Sequence, residues 1–568
     1  MEKLEQLEQY WQTAHNLWAE WRNRATLAFD FYKGKQWDSD VVEKLNRESR
    51  PALTLNKIKP IMRIISGWQR QNRQDLQVLP RRGGIRPLAE VFTELMKYFY
   101  DVSRADWENS MMFFDGAICG KGWLALDIDY SKDPLNGDLI LKRERPMMIY
   151  EDPHSQRYDL SDAKFIIRTY WADKEQIEQE FPKAKQDFGL AAVDSKEREP
   201  ITGVETEGYQ PGGEFKEYEK YRYLVKEYYW REYVKQRIVV NLNNLEFEVA
   251  KINDEKAQKL VETFPHIRIV DRVMPILNLT TVVGKLILQD IKDPFDGISM
   301  FPLIRFCDEW IDGYIKGEVD DLIDPQKEHN KRRSQALHLL NTAAHSGYIG
   351  DADALSHDME QKLKEMGSSP GLFIKVNPGK RFDRIEPGSL STGHIALEKL
   401  AEDDLKKISN INADLLGATP ERQESGRAMM IRKQQGLLGV ENVFDNFQFT
   451  QQILGETILE FIRKSDVLSE EEIMAIVEEK KLEGGLEHLK SRKLGKYQAV
   501  LTTKKSTPTQ RMADFYAMLD AVKLGIPIPP ELIIEASDLP HKEEIQEAIK
   551  QVKQEPRGPE LPGGRPPV

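Results

Sequence analysis

The pattern of hydrophobic and polar positions divides the chain into helical and extended stretches. Apolar residues at helical spacing predict helices over 1–33, around 58–65 and over 88–99, where the i, i+3, i+4, i+7 pattern is closest. From about residue 120 to residue 305 the apolar residues alternate with polar ones instead, which is typical of strands. We predict strands at 122–130, 139–145, 164–171, 223–240 and 280–289. Asn136-Gly137 predicts a hairpin between the first two. This is an α+β body.

After Asp320 the pattern becomes helical again. The stretch 324–335, DPQKEHNKRRSQ, contains no apolar residue. We therefore expect this helix not to be a core helix but to face water, neighbouring subunits or a charged ligand. Residues 342–390 are rich in glycine and proline and predict loops.

Two further helices are predicted beyond these loops. The first covers 392–416 and carries one apolar stripe: Leu397, Leu400, Ile408, Ile411 and Leu415. The second is long, covers 427–464, and has glycines at 436 and 439 as candidate kinks. The last residues, 552–568, are rich in proline and glycine and are predicted to be a disordered tail.

Composition and charge narrow the class of protein. The chain has 568 residues, of which 40% are hydrophobic and 31% are charged, and this balance is typical of globular domains. No apolar run approaches the roughly 18 residues that a membrane helix needs, and the acidic start does not resemble a secretory signal. We therefore expect a cytoplasmic protein. Its net charge of −12 argues against tight DNA binding but is compatible with DNA that slides past.

The chain lacks the motifs of common catalytic sites. Residues 116–122, GAICGKG, have one residue too few for a phosphate-binding P-loop, and Gly122 replaces the required hydroxyl residue. We interpret them as a tight turn that leads into the strand at 122–130. Asp127 and Asp129 share a strand face, so they form either a carboxylate pair for a metal or, more often, a solvated surface. The sequence predicts no catalytic residues, no metal site and no cofactor.

Six arginines and a single acid occupy residues 63–86. The functional interpretation is a patch that faces phosphate groups or a partner. The alternative is a set of ion pairs within or between subunits. The central candidates are Arg70, Arg73, Arg81 and Arg82.

The polar helix has its charges segregated along its length. Four acids, Glu318, Asp320, Asp321 and Asp324, precede four bases, Lys327, Lys331, Arg332 and Arg333. These bases belong either to a solvated face with i,i+4 ion pairs or to a helix at a subunit interface or along a DNA tunnel.

Several segments, in their order and spacing, resemble the portal proteins of short-tailed, podovirus-type bacteriophages. They are RATLAFDFYKGKQWD at 24–38, the following 50–80, DLIDPQKEHNKRRSQALHLLN at 321–341, and 408–447. No one segment is an active-site fingerprint, and the specificity lies in their co-occurrence.

This resemblance implies a portal fold that assembles into a dodecameric ring. It implies the following parts: a mixed α/β wing at 1–320, stem helices at 321–341 and 391–416, a clip at 342–390, a tunnel loop at 417–426, a long wing helix at 427–464 and a helical crown at 465–551. The tunnel loop residues nearest DNA would be Glu421, Arg422, Glu424 and Arg427. Some relatives carry a long helical barrel after the crown, and here only the tail at 552–568 remains.

The implied function is structural, not enzymatic. The ring would sit at one vertex of the phage capsid in the virion, after assembly in the host cytoplasm. Double-stranded DNA would pass through it during packaging and ejection. The implied partners are the large terminase, the head-tail adaptor, and the scaffolding and capsid proteins, with no membrane. The alternatives are another head-tail protein, such as an adaptor or internal scaffold, and a DNA-processing enzyme with a metal at Asp127 and Asp129.

Overall fold

The structure is a computed structural model. It describes residues 2–81, 84–131, 134, 137–182, 198–200, 221–241, 246–249, 263–264, 266–295, 297–344, 347–367, 372–385, 392–409, 439, 441–464, 473, 476–477, 497–503 and some positions between 515 and 534.

Helices dominate both ends of the described chain. The helices are α1 (Glu2–Leu17), α2 (Ala19–Lys33), α3 (Ser39–Arg47), α4 (Ile58–Gln71), α5 (Arg86–Val102), α6 (Ala105–Cys119), α7 (Lys174–Glu180), α8 (Glu318–Ala344), α9 (His357–Met366), α10 (Thr392–Ile408) and α11 (Glu441–Lys464). The helices predicted near 1–33, 58–65 and 88–99 are confirmed, although the first breaks at Trp18.

Helix α6 forms the centre of the largest hydrophobic core and was not predicted. Its side chains are buried on nearly every face, so its sequence has little amphipathic periodicity. It packs against α2, α4, α5 and α8 and against the strand that follows it. Phe113 stacks on Phe306 and Phe444 at centroid distances of 5.5 and 5.6 Å. This one helix therefore joins the N-terminal helices to later parts of the chain.

The strands build two main antiparallel sheets and several small ones. They are β1 (Gln74–Pro80), β2 (Lys121–Asp129), β3 (Asp138–Glu144), β4 (Ile149–Glu151), β5 (Phe165–Asp173), β6 (Arg198–Pro200), β7 (Tyr221–Asn241), β8 (Glu246–Val249), β9 (Ile267–Val283), β10 (Leu286–Lys292), β11 (Leu303–Cys307), β12 (Glu309–Ile311), β13 (Tyr314–Lys316), β14 (Tyr348–Gly350), β15 (Phe382–Arg384) and β16 (Tyr497–Thr503). One sheet has the order β10-β9-β7-β5-β4, and the other β11-β2-β3. The mixed α+β class is confirmed.

The predicted hairpin between β2 and β3 is confirmed, since Ile128 pairs with Leu139 and Asp129 with Asp138. The single strand predicted at 280–289 is wrong. Val283 pairs with Leu286 across a turn at Gly284, so this stretch belongs to two antiparallel strands. Apolar residues occur on both sides of the turn, and only Gly284, at φ 57°, marked the reversal.

Two regions differ from the expected plan. The stretch 342–390 contains helix α9 and the paired strands β14 and β15, where a loop-rich region was expected, and Tyr348 stacks on Phe382 at 5.3 Å. Strand β16 falls within 465–551, the expected helical crown, but it pairs with β1 from Gln74↔Thr503 to Pro80↔Tyr497. This part of the region is therefore extended and not helical. Strands of three residues, and pairing partners far apart in sequence, leave little local signal.

Candidate functional site

Helix α8 packs against α10 and carries four of the seven sequence-predicted site residues that the structure describes, Lys327, Lys331, Arg332 and Arg333. Helix α8 spans 27 residues, which makes it about 40 Å long. The prediction that its polar stretch is not a core helix is wrong for one face. Gln326, His329, Asn330 and Ser334 are at most 5% exposed. They are polar residues inside the protein.

These side chains are buried because they satisfy the backbone of residues 53–57, a segment that belongs to no helix or strand. Side chains at every fourth position of α8 accept hydrogen bonds from backbone N–H groups at every second residue. Four helical residues rise about 6 Å and two extended residues rise about 6.6 Å, so the two spacings match. The bonds run from Leu53 to Ser334 Oγ (2.9 Å), Leu55 to Asn330 Oδ1 (3.0 Å) and Lys57 to Gln326 Oε1 (2.9 Å).

The amide side chains of this ladder are also connected to one another. Gln326 Nε2 donates to the Leu55 carbonyl at 2.9 Å and to Asn330 Oδ1 at 3.0 Å. Asn330 Nδ2 donates to Gln36 Oε1 at 2.6 Å. A buried polar network stabilises a fold only when its members are paired, and here the ladder fixes α8 to the chain that links α3 and α4.

His329 lies on the same buried face and differs from the ladder residues. Neither ring nitrogen has a hydrogen-bond partner. Burial lowers the pKa of His329 below its ordinary value, and the cations of Lys57 and Arg333 act in the same direction, while Glu398 and Glu402 oppose them. The imidazole is therefore neutral at neutral pH.

The four predicted bases of α8 do not form one cluster. Lys327 lies 3.8 Å from Asp324, and Arg332 pairs with Glu328 within the helix at 3.2 Å. Arg333 crosses to α10 and pairs with Glu398 at 2.9 Å. Lys331 is exposed. Within the chain these bases therefore form pairs along α8 and one pair with α10, and their place at a subunit interface or along a DNA tunnel stays a prediction.

The helix pair also exposes large apolar side chains. Helix α10 packs Ala401 and Leu405 inward, at 3% and 1% exposure. The members of its predicted stripe that are described face outward instead, and the end of α8 does the same. The exposed side chains are Leu339, Leu340, Leu397, Leu400 and Ile408.

The predicted arginine patch is largely engaged within the chain. Arg70 lies over the Trp107 ring at 5.4 Å. Arg73 lies 3.5 Å from Asp106 and donates to Ser110 Oγ at 3.1 Å. Arg81 donates to Gln498 Oε1 at 2.9 Å, across the β1–β16 sheet. Arg82 and the tunnel loop candidates Glu421, Arg422, Glu424 and Arg427 lie outside the described residues.

The glycines at 116–122 serve packing. Residues 116–119 end α6, Gly120 caps the helix with φ 89°, and β2 begins at Lys121. A Cβ on Gly122 would collide with the Met112 carbonyl. The expected tight turn is thus a helix cap, and the close contact between α6 and β2 accounts for the glycine spacing.

The carboxylate pair considered for a metal is engaged as well. Arg168 donates to both oxygens of Asp127, at 2.8 and 2.9 Å, and Asp129 accepts the Ser131 N–H at 3.0 Å. Among the described residues no group of three potential metal-ligating side chains comes together.

A buried charge cluster next to β2 was not predicted from the sequence. Lys121 Nζ donates to Glu151 at 2.5 Å and lies 3.1 Å from the centroid of the Trp18 ring. Arg305 lies 3.6 Å from the same carboxylate. Burial lowers the pKa of Lys121 to about 8, against the opposing effect of Glu151. The cluster connects β2, β4 and β11 to the N-terminal helices. The sequence does not predict it, because a single lysine after a glycine is not a recognisable motif.

Within the described part of the chain, no helix has the length and apolar character that crossing a membrane requires. Comparison with curated proteins finds no match. The family model described as phage P22-like portal protein matches residues 8–564, nearly the whole chain, and confirms the resemblance drawn from the quoted segments. The chain belongs to the family of P22-like phage portal proteins.

Proposed function

We propose that this chain is one subunit of a ring whose central channel passes phage DNA during packaging and ejection. Its family is a structural, non-enzymatic component of the phage capsid that serves DNA packaging. The observation that carries the finer proposal is the helix pair α8–α10, which exposes five large apolar side chains, from Leu339 at 37% to Leu400 at 60%. Exposed apolar side chains that are grouped on one pair of helices are typical of an interface.

In this proposal α8 and α10 form the stem, and neighbouring copies cover their exposed leucines. The region 342–390 would be the clip and the sheets before residue 320 the wing. The buried ladder supports such a stem because it anchors α8 to the segment 53–57. The predicted tunnel loop at 417–426 would follow the second stem helix.

The channel would hold DNA weakly. The chain carries 93 acids against 81 bases, and tight phosphate binding requires a basic surface. Evenly spread, weak contacts suit DNA that must slide. The energy for packaging would come from the ATPase of the large terminase, which would dock on the ring before the head-tail adaptor replaces it. Scaffolding and capsid proteins would contact the ring in the host cytoplasm, and the finished ring would occupy one vertex of the virion.

Negative-stain electron microscopy of the purified protein, with light scattering for the mass, tests the proposal. We expect rings with a central hole and a mass near a dozen times that of the 65.7 kDa chain. A monomer that persists at high concentration, and in the presence of scaffolding protein, would overturn it and favour the adaptor alternative.

A further inference from the structure

Strands β7 and β9 continue together beyond the sheet to which they belong. Strand β5 pairs with β7 only as far as Trp230, and β10 pairs with β9 only from Asn278 onward. Past these points β7 and β9 pair with each other as far as Asn241 and Ile267. We call residues 233–241 and 267–275, nine in each strand, the ribbon. It is about 30 Å long, since each residue of a strand adds about 3.3 Å.

The base of the ribbon is fixed to the body, whereas the rest of it is not. Arg231 donates to the carbonyl oxygens of Leu160, Ser161 and Ala163 at 2.7–3.1 Å. From Tyr233 outward, every ribbon side chain whose exposure is described is at least partly exposed. Among the described strands only β8 pairs with the ribbon, at Ile238–Asn241. The described part of the chain therefore leaves both faces of the ribbon in contact with water.

Both faces carry exposed apolar side chains. Residues that pair across the two strands share a face, so Tyr233 and Val273 lie on one face and Met274 lies on the other. These three side chains are 62%, 66% and 37% exposed. A two-stranded ribbon without further packing is marginally stable at best in water, and a long open strand edge can pair with another chain. A partner surface would therefore stabilise the ribbon.

The ribbon is basic although the chain is acidic. It contains four bases, Lys235, Arg237, Arg268 and Arg272, and one acid, Asp271, so its net charge is +3 (4 − 1). The rest of the chain has 77 bases (81 − 4) and 92 acids (93 − 1), a net charge of −15. Asp271 pairs with both bases of β7, at 3.1 Å each. Most of the excess positive charge therefore lies on β9, where Arg268 and Arg272 are exposed.

These features together favour a second copy of this chain as the partner. Nucleic acid would neutralise the arginines but would leave the apolar side chains of both faces uncovered. Two ribbons in a two-fold contact would bring like charges together, which is unfavourable. A head-to-tail contact instead places the basic ribbon of one copy on the acidic remainder of the next. Head-to-tail contacts generate a ring when the rotation closes.

We propose that the ribbon of each subunit lies on an acidic surface of the neighbouring copy in a head-to-tail contact. Arg268 and Arg272 would meet carboxylates of that neighbour, and the neighbour would cover Val273. This inference rests on the proposed ring and names a surface that holds it together, separate from the leucines of α8 and α10.

Charge reversal in the full-length chain tests the contact. Arg268→Glu combined with Arg272→Glu changes two exposed side chains and should leave the subunit folded, which circular dichroism checks. We expect the concentration at which half of the subunits are assembled to rise at least about tenfold, because two attractive contacts become repulsive. Sedimentation velocity gives this concentration. Arg268→Lys combined with Arg272→Lys should assemble like the parent. The matched control is Lys35→Glu combined with Lys44→Glu, two exposed bases outside the ribbon, which should also assemble like the parent.

Photo-crosslinking from the ribbon gives an independent measurement. The photoreactive residue p-benzoylphenylalanine replaces Val273, which is 66% exposed, and the assembled protein is irradiated with and without added double-stranded DNA. We expect covalent products that extend from dimers to higher oligomers, because each ribbon contacts the next copy. Dissociated subunits should give none of these products.

The outcomes separate this inference from the proposed function. Rings that form normally from the reversal variant and give no crosslinks from position 273 would overturn the contact and leave the ring function standing. Covalent dimers alone would show a two-fold contact, and attachment to the added DNA alone would show a nucleic-acid surface; either result would overturn the head-to-tail contact. An unmodified chain that forms no oligomer would overturn both the ring and the contact.

Discussion

At the scale of single residues, polarity in this chain does not indicate exposure. Three of the four buried polar residues of α8, Gln326, Asn330 and Ser334, hydrogen-bond a segment that lacks a strand partner. A polar side chain is stable inside a protein when its partners are there too. The sequence shows the polarity of 324–335, but the partners come from residues 36 and 53–57, far away along the chain.

Asn330 is the central residue of this network, and its replacement tests the ladder. Asn330→Leu keeps the number and branching of the side-chain heavy atoms but leaves the Leu55 N–H and the amides of Gln36 and Gln326 with fewer partners. We expect a loss of about 2–4 kcal/mol in the free energy of unfolding, because buried groups left unpaired cost about 1–3 kcal/mol each. The control is Lys331→Leu, at the adjacent exposed position. Equal stability of the two variants in urea denaturation would contradict a structural role for the ladder.

A second residue-scale prediction concerns pH. Burial raises the pKa of Glu227 to about 7, from an ordinary value of 4.5, with Arg168 opposing and Asp127 and Glu144 assisting. The folded state holds this proton more tightly than the unfolded state. The resulting stabilisation is complete below the unfolded pKa and is lost as pH rises through the folded value.

Glu227→Gln removes this titration. Between about pH 4.5 and pH 7, the unmodified protein should therefore lose stability relative to the variant, on the order of 1–3 kcal/mol. The measurement is the free energy of unfolding of both proteins at pH 5.5 and pH 8. Glu20→Gln, at an exposed position, is the control. A difference between variant and parent that is the same at both pH values would refute the prediction.

At the scale of elements, strongly periodic segments were predictable and buried ones were not. Helix α5 and the β2–β3 hairpin follow from local pattern and turn chemistry. Helix α6 was not predicted because core residues surround it on nearly all sides. Strand β16 was not predicted because its partner β1 precedes it by more than four hundred residues. Neither feature leaves a local signature.

The contact of α11 with the β1–β16 sheet gives a prediction at this scale. A Cβ on Gly455 would lie 2.7 Å from the Ala499 Cβ and 2.9 Å from a Leu76 methyl group. Gly455→Ala should therefore destabilise the protein by about 1–3 kcal/mol, as overpacking does. The matched control is Gly67→Ala on α4, whose Cβ would meet nothing within 4 Å. It should stabilise the protein by about 0.5–1 kcal/mol. The measurement is the midpoint temperature of thermal unfolding of both variants. A change of the same sign in both would contradict close packing at Gly455.

At the scale of the whole molecule, the single chain leaves large apolar side chains of α8 and α10 uncovered. The helix pair α8–α10 buries polar side chains such as Gln326 and Asn330 while it exposes leucines such as Leu340 and Leu400. In an isolated subunit these leucines do not stabilise the fold, because their apolar surface stays in contact with water. In a ring each subunit would cover its neighbour, so the same leucines would stabilise the assembly.

The last prediction separates folding from assembly. Leu340→Glu combined with Leu400→Glu changes side chains that are 53% and 60% exposed in the single chain. The folded monomer should therefore lose less than about 1 kcal/mol, as surface substitutions do. The ring should fail to form, because each subunit contact would bury several uncompensated carboxylates. Leu524→Glu, at 82% exposure and outside the helix pair, is the control. Light scattering gives the mass, and circular dichroism checks the fold. Rings of normal mass from the double variant would place the subunit interface elsewhere, whereas loss of the fold would show that α8 and α10 belong to the core of the monomer.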